Sequence, residues 1–253
     1  MAEFRAGNLT VRVYKDKRQL GAAAAGQAAS ILERQIRENG AARILISTGN
    51  SQLEMIAELV QHPEIDWRFV EMFHIDEYVG LAATHPASFR YWVKTRLADP
   101  VQPGEVHYLA GDAGDVDQEC RRYAKLLARR PVDLAFVGFG ENGHIGFNDP
   151  HEADFHDPLA VRRVTLDEKC RLQQVGEGHF PSLDAVPTEA LTLTCPTLVS
   201  AREIVCCVPD QRKAEAVRNA LQGPIAPSCP ASILRNHPRA CVYLDTPSAS
   251  LLA

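Results

Sequence analysis

The chain has 253 residues, 45% hydrophobic and 23% charged, which is ordinary for a soluble globular protein and enough for one large α/β domain. Its formal net charge of −5 provides no broad basic field, so we expect neither nucleic acid nor an anionic membrane as a partner. The first residues contain no signal sequence, and no apolar stretch is long enough to cross a bilayer. The sequence therefore predicts a cytoplasmic protein, and a homo-oligomer is one open possibility.

The seven cysteines are odd in number and scattered along the chain. They lack Cys-x-x-Cys spacing, which indicates neither a zinc site nor a disulfide framework. Cys206 and Cys207 lie in an apolar run, where thiols usually serve as small hydrophobic side chains.

Apolar runs typical of buried strands occur at Leu9–Tyr14, Ile44–Ser47, Phe69–Ile75, Val132–Val137, Ile204–Val208 and Cys241–Leu244. Segments with helical periodicity lie between them, at Leu20–Ile36, Leu53–Val60, Cys120–Leu127 and Lys213–Leu221. This alternation predicts a single α/β domain over residues 1–253, with a doubly wound, mostly parallel, Rossmann-like sheet and helices on both faces. Ligands of such sheets bind beyond the carboxyl ends of the strands, so the residues after each strand are the functional candidates.

Residues 150–187 are less regular and contain Gly176-Glu177-Gly178. Long irregular stretches in compact domains are often lids over an active site, and that is one interpretation. An ordinary surface connection fits the composition equally well.

The second strand is followed by Ser47-Thr48-Gly49-Asn50-Ser51 and then by a helix. Unpaired amides at a helix start, together with hydroxyl groups, can bind a phosphate. No Gly-Lys-Ser/Thr follows, so this is not a Walker A loop. The alternative is an ordinary helix cap made by Asn50 or Ser51.

The third strand is followed by Asp76 and Glu77, whose side chains a strand directs to opposite faces. One of them could therefore act as a general base, provided that it is partly removed from water. The alternative is a pair of solvated acids. His74 and Asp76 have metal-ligand character, but no further ligands accompany them, so we predict no metal site.

The fourth strand continues into a glycine-rich turn that ends with His144 and Asp149. Gly138, Gly140 and Gly143 allow the backbone to turn tightly and to approach a ligand. A histidine here can exchange protons near neutral pH, and Asp149 could orient its ring. Taken alone, the segment could also be a tight turn with a surface histidine.

These segments together resemble the glucosamine-6-phosphate deaminase family, from the first strand to Asp245. The matching motifs are Asp76-Glu-Tyr-Val-Gly-Leu81 with His85-Pro-x-Ser88, then Gly-x-Gly-x-x-Gly-His-Ile-x-Phe-Asn-x-Pro ending at Pro150, and Lys213-Ala-Glu-Ala leading to Pro230-Ala-Ser-Ile-Leu-x-x-His-Pro238. The resemblance implies aldose–ketose isomerisation coupled to deamination of a hexosamine 6-phosphate, with no metal or organic cofactor.

Two other functions remain open beside this one. The related 6-phosphogluconolactonases share the fold, but they resemble Gly-His-Thr-Ala-Ser after the turn, where this chain has Gly-His-Ile-Gly-Phe. A sugar-phosphate-binding protein with weak turnover is the other alternative.

By position, the resemblance implies that Asp76 moves a proton between C2 and C1 of the open-chain sugar. His144 would assist ring opening with support from Asp149, and Asn142 lies in the same catalytic motif. Other residues would bind the phosphate through amides, hydroxyls and cations, or allow close backbone approach to the sugar. The implied substrate-binding residues are Thr48, Gly49, Asn50, Ser51, Gly138, Gly146, Arg171 and Lys213.

Two positions in the catalytic motif depart from the family pattern. The family usually has Asp where this chain has Asn142, which supplies no charge, and Glu where this chain has Asp149. Asp149 is one methylene shorter, so we expect it to reach the ring only after a backbone adjustment. Our hypothesis is that ring opening is slower here, or that the substrate differs from glucosamine 6-phosphate.

A third departure concerns regulation. Allosterically activated relatives carry Ser and basic residues after the Asn-Glu-Pro motif, whereas residues His151–Asp157 here are acidic and would repel an effector phosphate. We therefore expect a hyperbolic dependence of rate on substrate concentration, without activation by N-acetylglucosamine 6-phosphate. Steady-state rates with and without that compound test this, and a sigmoidal curve that the compound makes hyperbolic would contradict it.

Overall fold

The computed structural model describes residues 1–252; Ala253, the last residue of the predicted domain, lies outside the described residues. The strands are β1 (Ala2–Ala6), β2 (Leu9–Tyr14), β3 (Ala42–Ile46), β4 (Val70–His74), β5 (Asp76–Tyr78), β6 (Glu105–His107), β7 (Leu134–Val137), β8 (Val161–Thr165), β9 (Glu189–Leu193), β10 (Glu203–Val208) and β11 (Ala240–Asp245). The helices are α1 (Lys17–Asn39), α2 (Leu53–Leu59), α3 (Phe89–Val93), α4 (Asp99–Val101), α5 (Val116–Leu127), α6 (Glu168–Gly176), α7 (Cys195–Val199) and α8 (Ala214–Gln222).

Eight strands form one sheet in the order β1-β2-β11-β10-β7-β3-β4-β6. Only the β1–β2 pair is antiparallel, and the six pairings from β2 to β6 are parallel. The prediction of a mostly parallel α/β sheet in a single domain is therefore confirmed. The sequence analysis missed β1 and β6, which are the two edge strands.

Hydrophobic side chains are buried on both faces of this sheet, as the continuous apolar strands predicted. In β10, Ile204 and Cys206 contribute to the core shared with α5, α7 and α8. Val205 and Cys207 point the other way, into the core shared with α1 and α2. All seven cysteines are buried and unpaired, so the expectation of thiols in place of a disulfide framework holds.

The longest helix, α1, begins and ends at signals in the sequence. The Asp16 side chain accepts a hydrogen bond from the Gln19 amide, which caps the helix start. The helix ends where Gly40 adopts a left-handed conformation at φ 75°, a geometry that glycine adopts without strain. Within residues 1–252, no helix is both long and apolar enough to cross a membrane.

A second, antiparallel sheet has the order β5-β9-β8 and was not predicted. The chain passes from the large sheet to the small one at Ile75. The Ile75 amide donates to the Ile46 carbonyl in the large sheet, and the Ile75 carbonyl accepts from the Leu193 amide in the small sheet. The predicted third strand therefore ends at His74, and Asp76 belongs to β5 and not to a loop after that strand.

The region 150–187 is more regular than its composition indicated, because it contains β8 and α6. Asp167 caps the start of α6 by accepting a hydrogen bond from the Cys170 amide. Gln173 and Gln174 of α6 line the cleft described next, so this segment contributes to the candidate site.

Candidate active site

A cleft of about 530 Å³, open mouth included, lies beyond the carboxyl ends of β3, β4 and β7. A second pocket of about 640 Å³ adjoins it and shares Asn50, Ser51 and Glu177 with it; Lys213 lines this pocket. The structure thus brings most of the predicted site residues together at one edge of the sheet. Those lining the cleft are Thr48, Gly49, Asn50, Ser51, Asp76, Gly138, His144 and Gly146.

Asp76 is the buried acid of the cleft, with only 5% of its surface exposed. Its Oδ1 atom accepts no hydrogen bond from any of residues 1–252. Burial raises the pKa of Asp76 well above its ordinary value, and the neighbouring charge of Glu77 adds to the effect. A carboxyl group with a raised pKa is a stronger base once it has lost its proton, which suits proton abstraction from carbon.

Glu77 points away from the cleft, as the strand geometry predicted, and its role is structural. Its carboxylate accepts hydrogen bonds from the Ser88 hydroxyl at 2.7 Å and from the amides of Phe89 and Arg90 at 3.1 and 2.9 Å. These bonds fix the start of α3, where Phe89 lines the cleft. Of the two adjacent acids, one is therefore available for chemistry and the other holds the wall of the site.

The His144 ring depends on a glycine beneath it. A Cβ atom at Gly140 would come within 2.1 Å of the imidazole, so a side chain at that position would displace the ring. His144 Nδ1 is 3.1 Å from Asp149 Oδ1, although the angle is too poor for a well-formed hydrogen bond. The shorter Asp149 side chain thus lies within contact distance of the ring, and the expected backbone adjustment stays a prediction.

Asp149 is completely buried, and its hydrogen bonds keep it ionised. Burial opposes the charge, but the contact with His144 and bonds from the Asn142 amide and the Asp167 backbone outweigh it and lower the pKa of Asp149. The Asp167 amide donates to Asp149 Oδ2 at 3.0 Å. Because Asp167 is the N-cap residue of α6, the start of this helix is fixed to the Asp149 carboxylate.

Asn142 makes contacts that an ionised aspartate could not make. Its Nδ2 atom donates to Asp149 and to Asp167, both at 2.8 Å, and its Oδ1 atom accepts from the His144 amide at 3.0 Å. A carboxylate has no proton to donate to two neighbouring carboxylates. The departure at position 142 therefore fits its surroundings.

Strand β9 contacts both β5, which contains Asp76, and the turn that carries His144, and the sequence analysis did not find this strand. Asp76 is paired with Thr192 across the β5–β9 ladder. The Thr192 hydroxyl also accepts from the Phe147 amide at 3.1 Å, and Asn148 Nδ2 donates to the Leu193 carbonyl at 2.9 Å. One strand thus positions Asp76 and the turn that carries His144.

Gly146 is required at the closest approach between this turn and β9. Its φ of 54° lies in the left-handed region, and a Cβ atom there would lie 3.0 Å from the Thr192 hydroxyl and 3.6 Å from Asp76 Oδ2. A side chain would therefore strain the backbone and crowd Asp76.

The loop after β3 has the geometry expected of an anion-binding site. Gly49 has a φ of 92°, and the amides of Thr48 and Gly49 donate to no residue in the described part of the chain. Neither Asn50 nor Ser51 caps the following helix with its side chain, so the ordinary capping interpretation does not apply. These amides and hydroxyls remain available to a ligand.

Lys213 supplies a buried positive charge beside this loop. Its side chain is 2% exposed, and its Nζ atom has no hydrogen-bond partner among residues 1–252. Burial lowers the pKa of Lys213, and Glu177, whose Oε1 atom is 3.7 Å from Nζ, partly offsets that effect. The same pocket contains Lys17 and Arg212, two cations that the sequence analysis did not select, although Arg212 is adjacent to Lys213.

Arg171, by contrast, does not lie beside Lys213 and the loop after β3. Its guanidinium donates to the carbonyls of Leu183 at 2.7 Å and Val186 at 3.0 Å, and it lines neither pocket. From its position in α6, the Arg171 side chain extends toward the connection to β9. Its hydrogen bonds hold that connection, and it does not approach the loop of Thr48–Ser51.

The sequence analysis also missed three residues that line the cleft, two in α6 and Glu177 directly after it. Gln173 accepts from the Glu141 amide at 2.9 Å and donates to Glu177 at 2.8 Å. Gln174 is 7% exposed and lines the cleft. The glycines on either side of Glu177 were the only sequence signal, and they indicated a flexible segment without indicating its target.

Three potential metal ligands, His144, Asp149 and Cys170, lie within 4.8 Å of one another behind the cleft. Burial, with the charges of Asp149 and Asp167, raises the pKa of the Cys170 thiol well above its ordinary value. The Asp149 carboxylate in this cluster already accepts hydrogen bonds from Asn142 and from the Asp167 amide. His74 and Asp76 belong to none of the potential ligand clusters found among residues 1–252.

Comparison with known families is consistent with this geometry. A family model for glucosamine-6-phosphate isomerases/6-phosphogluconolactonase matches residues 15–243. The chain belongs to this family. The resemblance seen in the sequence motifs is thereby confirmed over most of the chain.

Two curated relatives illustrate the similarity within the family. The chain is 34% identical to glucosamine-6-phosphate deaminase of Listeria monocytogenes serotype 4a, over 89% of this chain and 94% of the relative. It is 33% identical to glucosamine-6-phosphate deaminase of Lactobacillus delbrueckii subsp. bulgaricus, over 96% of this chain and 100% of the relative.

Solved structures from both branches of the family share the fold. A monomeric glucosamine-6-phosphate deaminase superimposes with a TM-score of 0.87 and 31% identity, covering 95% of this chain and 99% of that one. The 6-phosphogluconolactonase of Trypanosoma brucei superimposes with a TM-score of 0.79 at 17% identity, over the full length of both chains, which shows the fold alone.

The buried Asp76 carboxyl gives a prediction about stability. Because its pKa is raised in the folded state, its contribution to stability is lost as pH rises through that pKa. We expect Asp76→Asn to raise the Tm at pH 8, by about 2–4 °C for each kcal/mol gained. The gain should shrink as pH falls, because the natural side chain then also becomes neutral.

Thermal unfolding of both proteins between pH 5 and 8 measures this difference. Asp112→Asn is the control with the opposite sign, because a hydrogen bond from Arg90 at 2.8 Å lowers the pKa of Asp112. Its Tm should fall or stay unchanged at pH 8. A Tm gain for Asp76→Asn that does not depend on pH would contradict a raised pKa of Asp76 in the folded protein.

Proposed function

We propose that the protein converts glucosamine 6-phosphate and water to fructose 6-phosphate and ammonia. The observation that carries this proposal is the placement of Asp76 and His144 in one cleft, with Lys213 and the Thr48–Ser51 loop in the adjoining pocket. A general base, a second proton carrier and an anion site are the groups that this reaction needs.

His144 and Asp149 are suited to the first step, ring opening. The imidazole lines the cleft, and the buried Asp149 carboxylate lies on its Nδ1 side. In this arrangement Nε2 can carry the proton that moves from the C1 hydroxyl to the ring oxygen, while Asp149 stabilises the positive charge of the ring.

Asp76 is suited to the isomerisation that follows. Its carboxylate takes the proton from C2 of the open-chain aldose while the C1 oxygen takes up a proton, which gives an enolamine, and Asp76 then returns its proton to C1. The double bond then lies between C2 and nitrogen, so water adds to C2 and ammonia leaves. Each step moves a proton or adds water, and the buried position of Asp76 supports the basicity that abstraction from carbon requires.

The phosphate contributes binding energy at a distance from the reacting carbons. The unpaired amides of Thr48 and Gly49 and the buried Lys213 ammonium can hold it, and fixing one end of the sugar positions C1 and C2 against Asp76. Residues 150–187 are proposed to act as a lid, since Gln173, Gln174 and Glu177 line the cleft. Seven buried thiols fit a reducing compartment such as the cytoplasm.

Hydrolysis of 6-phosphogluconolactone is the alternative reaction, because lactonases have the same fold. The identity of 34% to a deaminase over most of the chain favours the deaminase reaction. Lactone opening needs one activated water and does not require a base beside C2, whereas Asp76 is buried at the centre of this cleft.

Ammonia and fructose 6-phosphate should both form from glucosamine 6-phosphate. We expect Asp76→Asn to lower kcat by about 10²–10⁴-fold with little change in KM, because only proton transfer is lost. In the pH profile of kcat/KM, the pKa on the acid side should lie above the ordinary carboxyl pKa of about 3.9. The reason is that Asp76 must lose its proton to act and that burial raises its pKa.

Coupled assays for the two products, run from pH 4 to 9, provide the measurement. A parallel assay with 6-phosphogluconolactone is the control for the alternative reaction, and galactosamine 6-phosphate tests the preference at C4. Lactone hydrolysis without ammonia release from any hexosamine 6-phosphate would overturn the proposal.

Restoring the usual family residue at position 142 should harm this enzyme. In Asn142→Asp the new carboxylate would face Asp149 and Asp167, where the amide now donates two hydrogen bonds of 2.8 Å. Like-charge repulsion and the two lost bonds should lower both kcat/KM and the Tm at neutral pH.

Rates and Tm across the pH range test this, with Asn219→Asp as a control that makes the same change on the exposed side of α8. Superimposable pH–rate profiles for the natural protein and Asn142→Asp would remove Asn142 from the catalytic argument.

A further inference from the structure

The phosphate pocket contains a carboxylate that the proposed reaction does not use. Glu177 follows the last residue of α6, its side chain is 5% exposed, and it lines both the cleft and the adjoining pocket. Its Oε1 atom is 3.7 Å from Lys213 Nζ and accepts a hydrogen bond from Gln173 at 2.8 Å. Its Oε2 atom is 3.5 Å from His179.

This carboxylate occupies the environment that a phosphate group needs. Glu177 is the nearest carboxylate to a Lys213 ammonium that has no hydrogen-bond partner within residues 1–252. A phosphate dianion on Lys213 would stand next to a buried negative charge, and like charges that close together cost several kcal/mol. Glu177 in its present position and a bound phosphate therefore cannot both pair with Lys213.

The backbone at Glu177 lies between two glycines, Gly176 and Gly178. A Cβ atom on Gly178 would meet nothing within 4 Å, so there is open space at that position. Gly178 also has a φ of 80°, which glycine adopts without strain. Beyond Glu177, one turn of chain leads to Phe180, which packs in the small core with Tyr78.

The other end of the same helix is fixed to the catalytic pair. The Asp167 amide donates to Asp149 Oδ2 at 3.0 Å, and Asn142 donates to the Asp167 carboxylate at 2.8 Å. Helix α6 therefore extends from the carboxylate beside His144 to the carboxylate beside Lys213. The start of the helix therefore lies near the residues proposed to act on the sugar ring, and its end lies near the residues proposed to bind the phosphate.

We propose that Glu177 is an internal counter-ion of the phosphate pocket, which holds Lys213 until the phosphate of the substrate takes its place. The inference rests on the proposed function, because it assigns Lys213 to a sugar phosphate. Displacement of Glu177 releases the C-terminal end of α6 from Lys213. A substrate without phosphate leaves this contact in place, so Glu177 also selects against unphosphorylated sugars.

The test measures the binding of inorganic phosphate to the full chain by calorimetry at constant ionic strength. Removing the competing charge in Glu177→Gln should tighten phosphate binding by about tenfold or more, which corresponds to at least ~1.4 kcal/mol. The KM for glucosamine 6-phosphate should fall in the same variant. A purely structural glutamate would give the opposite result, because its loss would loosen the pocket and weaken binding.

Glu215→Gln is the matched control. It removes one negative charge only two residues from Lys213, but Glu215 is 63% exposed and lines neither pocket, so affinity should change less than about twofold. Lys213→Met combined with Glu177→Gln should abolish the gain and thereby locate the bound phosphate. Glu177→Ala serves as the second variant, with the same expected direction, if the glutamine variant has a lowered Tm.

Unchanged or weaker phosphate binding in folded Glu177→Gln and Glu177→Ala would overturn the inference. A gain that survives Lys213→Met would overturn it as well, because the anion would then bind elsewhere. Calorimetry requires no turnover, so failure of this inference and failure of the deaminase proposal are separate results. An active deaminase with no gain rejects only the role of Glu177.

Discussion

The candidate site depends on one strand, β9, which hydrogen-bonds both to the segment of Asp76 and to the turn that carries His144. Thr192 is paired with Asp76 in the β5–β9 ladder, and its hydroxyl also accepts from the Phe147 amide in the turn that carries His144. The neighbouring Leu193 bonds to Ile75 and to Asn148. Because strand hydrogen bonds are directional and short, two segments far apart in the chain are held at a fixed separation. The proposed reaction requires Asp76 and His144 to keep this separation.

The charges in the cleft are arranged for reactivity at some expense of stability. Asp76 is buried with an unpaired oxygen, and Lys213 is buried with an unpaired ammonium. By contrast, Asp149 and Glu77 are buried and fully supported by donors, so they hold other groups in place. Buried groups without partners raise the free energy of the folded protein, and they commonly mark the atoms that meet a substrate.

Particular residues show how far sequence reasoning reached and where it failed. The strands after which Thr48, Asp76 and His144 occur were predicted nearly to their observed ends, because continuous apolar runs are a strong signal. Arg171 failed because its position in α6 does not reveal which way a long side chain turns. Glu177 was overlooked because a surface-type residue between glycines carries no sign that it will be buried beside a lysine.

The sequence by itself determined the α/β architecture, the parallel sheet and the motifs that the family shares, because local hydrophobic periodicity and glycine placement are written in consecutive residues. Only the tertiary structure decided that Ile75 crosses between two sheets, that Asn142 donates to two carboxylates, and that α6 joins the Asp149 and Lys213 ends of the site. These features arise from hydrogen bonds and ion pairs between segments that are distant in the chain. Short strands and single polar residues make these contacts, and they produce no periodic pattern from which the contacts could be predicted.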